Sequence, residues 1–100
     1  MKPTFLAVLL PFASAWTLDM WTSDGRSSAM HGTADVDCND IAFTPALNVN
    51  RVKFNPDTAW HFDPATFELY VNAGCQGLSY RNGEGDYAIT PRVIRSYKVY

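Results

Sequence analysis

Thr66-Phe67-Glu68-Leu69-Tyr70-Val71-Asn72-Ala73-Gly74-Cys75-Gln76-Gly77-Leu78-Ser79-Tyr80 decides the fold of this chain. Phe67, Leu69 and Val71 alternate with Glu68, Tyr70 and Asn72, the two-residue period of a strand with one buried side. A bend marked by Gly74 and Gly77 follows, and a second strand starts toward Tyr80. The stretch also carries Cys75, one of only 2 cysteines. A looser copy of the layout begins at Trp16, where Trp16, Leu18 and Met20 alternate and Ser23-Asp24-Gly25 turns the chain.

Working outward, helical periodicity is nearly absent, and short apolar and aromatic runs are broken by Gly, Pro, Asn and Asp, the all-β pattern. Trp16 to Thr22 reads as the first strand and Arg26 to Met30 as a short second one. His31-Gly32-Thr33 reads as a loop, and Ile41 to Phe43 is brief and apolar. Asn48 to Phe54 favours a strand, ended by Asn55-Pro56-Asp57. Trp60-His61-Phe62 is either a short edge strand or a loop plug. Gly83-Glu84-Gly85-Asp86 reads as a turn, and Ile94 to Val99 as the last strand.

The first fifteen residues read as an export signal rather than part of the domain. Met1 to Thr4 is a short cationic region, Phe5 to Phe12 is apolar apart from Pro11, and Ala13-Ser14-Ala15 is a small-residue cleavage site. The run falls short of the about 20 apolar residues that span a bilayer, so no membrane span is expected. Losing Lys2 takes the basic residues from 8 to 7 against 10 acids. A net acidic chain argues against a nucleic-acid binder, which carries a basic face. In an exported chain the pair Cys38 and Cys75 reads as a disulfide. By chain entropy it stabilises by about 3–4 kcal/mol, a large share for so small a core.

The two halves align in blocks. Gly25-Arg26-Ser27 matches Gly77-Leu78-Ser79, and Gly32-Thr33-Ala34-Asp35-Val36 matches Gly83-Glu84-Gly85-Asp86-Tyr87. Val49 to Phe54 matches Ile94 to Val99. A duplicated unit of four short strands predicts two Greek keys packed as one sandwich. The second half resembles a βγ-crystallin Greek-key motif through Tyr70, Gly77, Ser79-Tyr80, Gly85-Asp86-Tyr87 and Ser96-Tyr97-Lys98-Val99. In the first half Leu18 stands where the motif's aromatic belongs, and Arg51 stands for its serine. The resemblance implies an all-β, βγ-crystallin-like β-sandwich over residues 16–100, motif one at 16–54 and motif two at 67–100.

Many microbial members of that family bind Ca²⁺ through paired Asn/Asp and a Ser/Thr-Ser before the last strand. Here those places read Pro91-Arg92-Val93-Ile94-Arg95-Ser96 and Ala46-Leu47-Asn48-Val49-Asn50-Arg51. The hard oxygen ligands are missing, so that calcium site is expected to be degenerate and no cofactor is expected. Asp35, Asp37, Asn39 and Asp40 around Cys38 are the remaining candidates for weak Ca²⁺ binding, against an ordinary solvated loop. His31 and His61, with Glu68 or Glu84, would be the acid–base set of a small secreted ribonuclease-like hydrolase. A surface histidine and a packed one account for them equally. Trp16 reads as core, whereas Trp21 and Trp60 are candidate binding aromatics for carbohydrate or a partner surface.

These observations predict a small secreted, non-enzymatic protein. The resemblance extends to killer-toxin-like and antimicrobial domains, which implies a toxin, antimicrobial or host-directed effector acting on a protein or cell-surface target. A structural extracellular or spore-coat protein is the alternative, and the ribonuclease-like hydrolase a third.

Overall fold

A computed structural model of the chain describes residues 15–43, 45–58 and 63–100. The export-signal reading of residues 1–14, and the readings of Trp60 and His61, lie outside the described residues. Eight strands follow in order: β1 (Trp16–Thr22), β2 (Ser27–Gly32), β3 (Val36–Asp40), β4 (Leu47–Asn55), β5 (Phe67–Asn72), β6 (Gln76–Asn82), β7 (Gly85–Ile94) and β8 (Ser96–Val99). They form two four-stranded sheets, ordered β2-β1-β4-β7 and β3-β8-β5-β6, with every pairing antiparallel. Each sheet therefore takes the first, second and fourth strands of one half and the third strand of the other.

The core lies between the sheets and is built by the inward positions of the four central strands. Trp16, Leu18 and Met20 of β1 meet Leu47, Val49, Val52 and Phe54 of β4. Phe67 and Leu69 of β5 and Tyr97 and Val99 of β8 close it from the other side. Phe54 stands between Trp16 and Phe67, with ring centroids 6.5 and 5.3 Å away. Tilted aromatic packing of this kind adds to the area term that drives the two sheets together.

The disulfide between Cys38 and Cys75 is present, with the Cα atoms 6.0 Å apart and a sequence separation of 37. It ties β3, from the first half, to the β5–β6 hairpin of the second. That hairpin needs backbone freedom. Gly74 and Gly77 have φ of 71° and 74°, and a Cβ on Gly77 would meet Val71 Cγ1 at 2.8 Å.

Several boundaries differ from expectation, each for a physical reason. The acidic stretch around Cys38 is strand β3 rather than a loop, because it pairs with the edge of β8. Its side chains are mostly exposed, so pairing overrides their low strand propensity. β2 runs on through His31 and Gly32, since Gly32 pairs with Trp16 and a Cβ there would touch the indole at 3.0 Å. The expected turn at Gly83–Asp86 gives way to β7 from Gly85 on, and Tyr87 folds its hydroxyl back onto the Glu84 carbonyl at 2.7 Å. β7 carries Pro91 because it is an edge strand whose register shifts there, between Val49 and Arg51 of its partner. Ile94 ends β7, so the last strand begins only at Ser96. Ile41 lies outside any strand, with its N–H on the Arg95 carbonyl at 2.8 Å.

Candidate functional site

Strand register sets the two halves against each other residue by residue. Leu18, Asp19, Met20 and Trp21 pair with Phe54, Lys53, Val52 and Arg51. Phe67, Glu68, Leu69 and Tyr70 pair with Val99, Lys98, Tyr97 and Ser96. Asp19 thus corresponds to Glu68, Trp21 to Tyr70, and Arg51 to Ser96. Leu18 points into the core, and Trp21 stands opposite Arg51 as Tyr70 stands opposite Ser96. The first hairpin is two residues shorter, Trp21 pairing with Ser27 where Tyr70 pairs with Leu78.

On the outer side of the second half the carboxylate is closed in. Glu68 is 7% exposed. It accepts hydrogen bonds from the Tyr70 hydroxyl, from the Tyr100 hydroxyl at 2.5 Å and from Arg81 at 3.4 Å. Burial works against its charge most strongly, yet the donors Tyr100, Tyr70 and Arg81 together hold its pKa below the ordinary value. Burial and the adjacent Glu68 carboxylate push the Tyr70 phenol up to about 12. A cleft of about 420 Å³ opens beside this cluster, lined by Asp35, Val36, Asp37, Glu68, Lys98, Val99 and Tyr100.

On the outer side of the first half the matching pair stays apart. Trp21 has no hydroxyl to offer Asp19. Instead the Arg51 guanidinium lies 4.4 Å from the Trp21 ring centroid. Arg51 is in turn fixed by two hydrogen bonds to Asp86, at 3.0 and 2.6 Å. The Arg51 bonds hold the Asp86 carboxyl below its ordinary range. On the other side of β1, Asp19 faces Ala29 and Trp21 faces Ser27 across the β1–β2 pair. A groove of about 270 Å³ lies there, lined by Asp19, Met20, Trp21, Ser27, Ser28 and Ala29.

Of the residues singled out in the sequence, Trp16 is core, and its indole N–H donates to the Ala34 carbonyl at 2.9 Å. Trp21 is half-buried and lines the groove. His31 is exposed on β2, in the sheet opposite Glu68. Asp35 and Asp37 line the cleft, Asn39 donates to the Tyr97 hydroxyl at 3.1 Å, and Asp40 accepts from the Gly74 N–H at 2.8 Å. Among the described residues no three His, Cys, Asp or Glu side chains gather where they could hold a metal ion. Asp19, Ser27, Ala29 and the Arg51–Asp86 clamp were not singled out, because only strand pairing brings them together. The Glu68–Tyr70 spacing of two along a strand was the one local signal available. No family model, curated protein or solved structure matches the chain.

Proposed function

We propose that the chain is an exported, disulfide-locked protein that acts by binding a surface rather than by catalysis, as an extracellular toxin, antimicrobial or host-directed effector. With this goes a fold proposal: the halves are two Greek-key motifs of βγ-crystallin-like kind. The exchange of β3 and β7 between sheets supports it, as do the glycine-hinged hairpin and Ser96 bonded to it. Export is supported by the Cys38–Cys75 bond, which persists in oxidising compartments.

The state of Glu68 carries the non-catalytic reading. A general acid near neutrality needs a carboxyl pKa raised toward the working pH. Glu68 is held the other way, ionised by hydroxyl donors, and the tyrosine that could exchange protons with it is pushed up to about 12.

The test uses the oxidised chain in two assays, retention on intact microbial cell walls and turnover of RNA. Retention without RNA cleavage, unchanged in His31→Ala, is the expected result. RNA cleavage that His31→Ala abolishes would replace the binding reading with a hydrolytic one. Absence of both would favour the structural, coat-like alternative.

A further inference from the structure

The outer face of β2-β1-β4-β7 carries a set of groups that the second half lacks in open form. Three features distinguish it. First, Asp19 accepts none of the hydrogen bonds that occupy its counterpart Glu68, although both stand two residues before an aromatic. Second, Arg51, from β4, covers one face of the Trp21 ring and is locked by Asp86, and the half-buried indole also lines the groove on the β2 side. Third, the β2 side of Trp21 is kept low by small residues, Ser27 opposite Trp21 and Ala29 opposite Asp19.

We propose that the groove between β1 and β2 is a subsite for one neutral sugar ring of a glycan. The proposal rests on the surface-binding reading and gives it a ligand class. The indole face away from Arg51 packs against the apolar C–H face of a pyranose, a contact that suits a flat aromatic with a fixed orientation. Asp19 accepts hydrogen bonds from ring hydroxyls, which are strong when the acceptor is ionised. The Ser27 hydroxyl both donates and accepts, matching the mixed character of sugar hydroxyls.

Charge and size narrow the ligand. The groove lining holds one acid, Asp19, with Lys53 opposite it across β1–β4 and Arg51 over Trp21 paired to Asp86, so the charges of this face balance and an uncharged ring is the fitting ligand. At about 270 Å³ the groove falls below the span of pockets that enclose whole drug-sized molecules, about 300–1,000 Å³, and fits a single ring of a longer chain. The Arg51–Asp86 clamp fixes Trp21 before the ligand arrives, which lowers the ordering cost of binding. In the second half the same positions cannot serve, since Tyr70 and Glu68 occupy each other.

The oxidised full chain is titrated with soluble trisaccharides of β-linked glucose, β-linked N-acetylglucosamine and α-linked mannose, followed by amide NMR shifts and tryptophan emission. At least one binds saturably, with the shifts centred on Asp19, Trp21 and Ser27 to Ala29. Trp21→Ala weakens it about tenfold or more, and Asp19→Asn less. Ala29→Trp, on the exposed edge strand, fills the groove while leaving the Trp21–Arg51 stack in place, and abolishes binding. Glu68→Gln leaves the affinity unchanged. Failure of all three sugars to bind overturns the proposal, and so does binding that survives both Trp21→Ala and Ala29→Trp. If cell-wall retention persists while no sugar binds, this subsite falls and the surface-binding reading stands. If retention is lost as well, both fall.

Discussion

The two hairpins of the molecule hold their shape by different means. In the first, β1 to β2, hydrogen bonds alone hold the turn, within itself and to the start of β4: Arg26 donates to the Pro45 and Ala46 carbonyls at 2.7 and 3.2 Å, and the Ser23 N–H to the Asn48 carbonyl at 3.2 Å. Thr22 bonds Asp24 and takes the Arg26 N–H at 2.8 Å, and Arg26 pairs with Asp24 at 2.9 Å. In the second, β5 to β6, distant strands do the work. Asp40 of β3 takes the Gly74 N–H at 2.8 Å, Ser96 of β8 takes the Cys75 N–H at 2.9 Å, and Cys38 bonds Cys75. One hairpin is held by hydrogen bonds alone, and the other by a covalent joint between strands as well. The joint constrains the second half, and the first half keeps an outer face with Asp19 and Trp21 beside a groove.

The largest effect should come from removing the covalent part of that joint. Closing a loop with a separation of 37 residues is worth about 3–4 kcal/mol on the chain-entropy account. The double substitution Cys38→Ser with Cys75→Ser should lower unfolding free energy by about that amount in urea, measured against the oxidised chain. Hydrogen exchange should show the loss first at the Gly74 and Cys75 amides, with the Arg26 amide little changed. Equal loss at both hairpins would erase the distinction between them.

A smaller effect separates Ser96 from its counterpart Arg51. Ser96 is fully buried; its hydroxyl donates to the Asn72 carbonyl at 2.5 Å and accepts from Cys75. Ser96→Ala leaves both backbone groups without their partner and should cost about 1–3 kcal/mol. Arg51→Ala removes an exposed ion pair and a ring contact, and should change stability far less. Its consequence should appear at Trp21 instead, as a change in tryptophan emission. Thermal melts of the two variants side by side make the comparison, and a larger loss from Arg51→Ala would overturn it.

The strands that could be read directly were the central four, β1, β4, β5 and β8. Their inward positions hold Leu18, Val52, Leu69 and Val99, and the alternation is written in the residues themselves. The edge strands β3 and β7 were hidden. β3 places only Val36 against the core and needs no alternation, whereas β7 does alternate, with Tyr87 and Ile89 against the core, and was hidden by the turn residues Gly83 to Asp86 at its start and by Pro91 within it. The cysteine pair was legible because composition and compartment logic suffice for it. The groove was half legible. Trp21 stood out as a large aromatic in a small chain, but Asp19, Ala29 and Arg51 become its neighbours only through pairing, which a single sequence states nowhere. The correspondence of Trp21 with Tyr70 is likewise set by pairing, across a first hairpin two residues shorter than the second.

The smallest effect is confined to the extremes of pH and tests whether Glu68 and Tyr70 hold each other closed on the outer face of the second half. Glu68 has a folded pKa below its ordinary value of 4.5, so its contribution is complete above that value and is lost as pH falls below it. Tyr70 has a folded pKa of about 12 against an ordinary 10.0, so the folded state holds that proton more tightly than the unfolded one. Its contribution is complete below pH 10 and drains away as pH rises toward 12. Tyr100 is raised in the same direction by its bond to Glu68 and adds to the alkaline limb. Tyr70→Phe should therefore flatten stability between pH 10 and 12, and Glu68→Gln should flatten both that limb and the acid one. Chemical unfolding across pH 3 to 12 reads both variants. An alkaline limb that survives Tyr70→Phe unchanged would mean that the bond between Tyr70 and Glu68 does not hold the outer face of the second half closed.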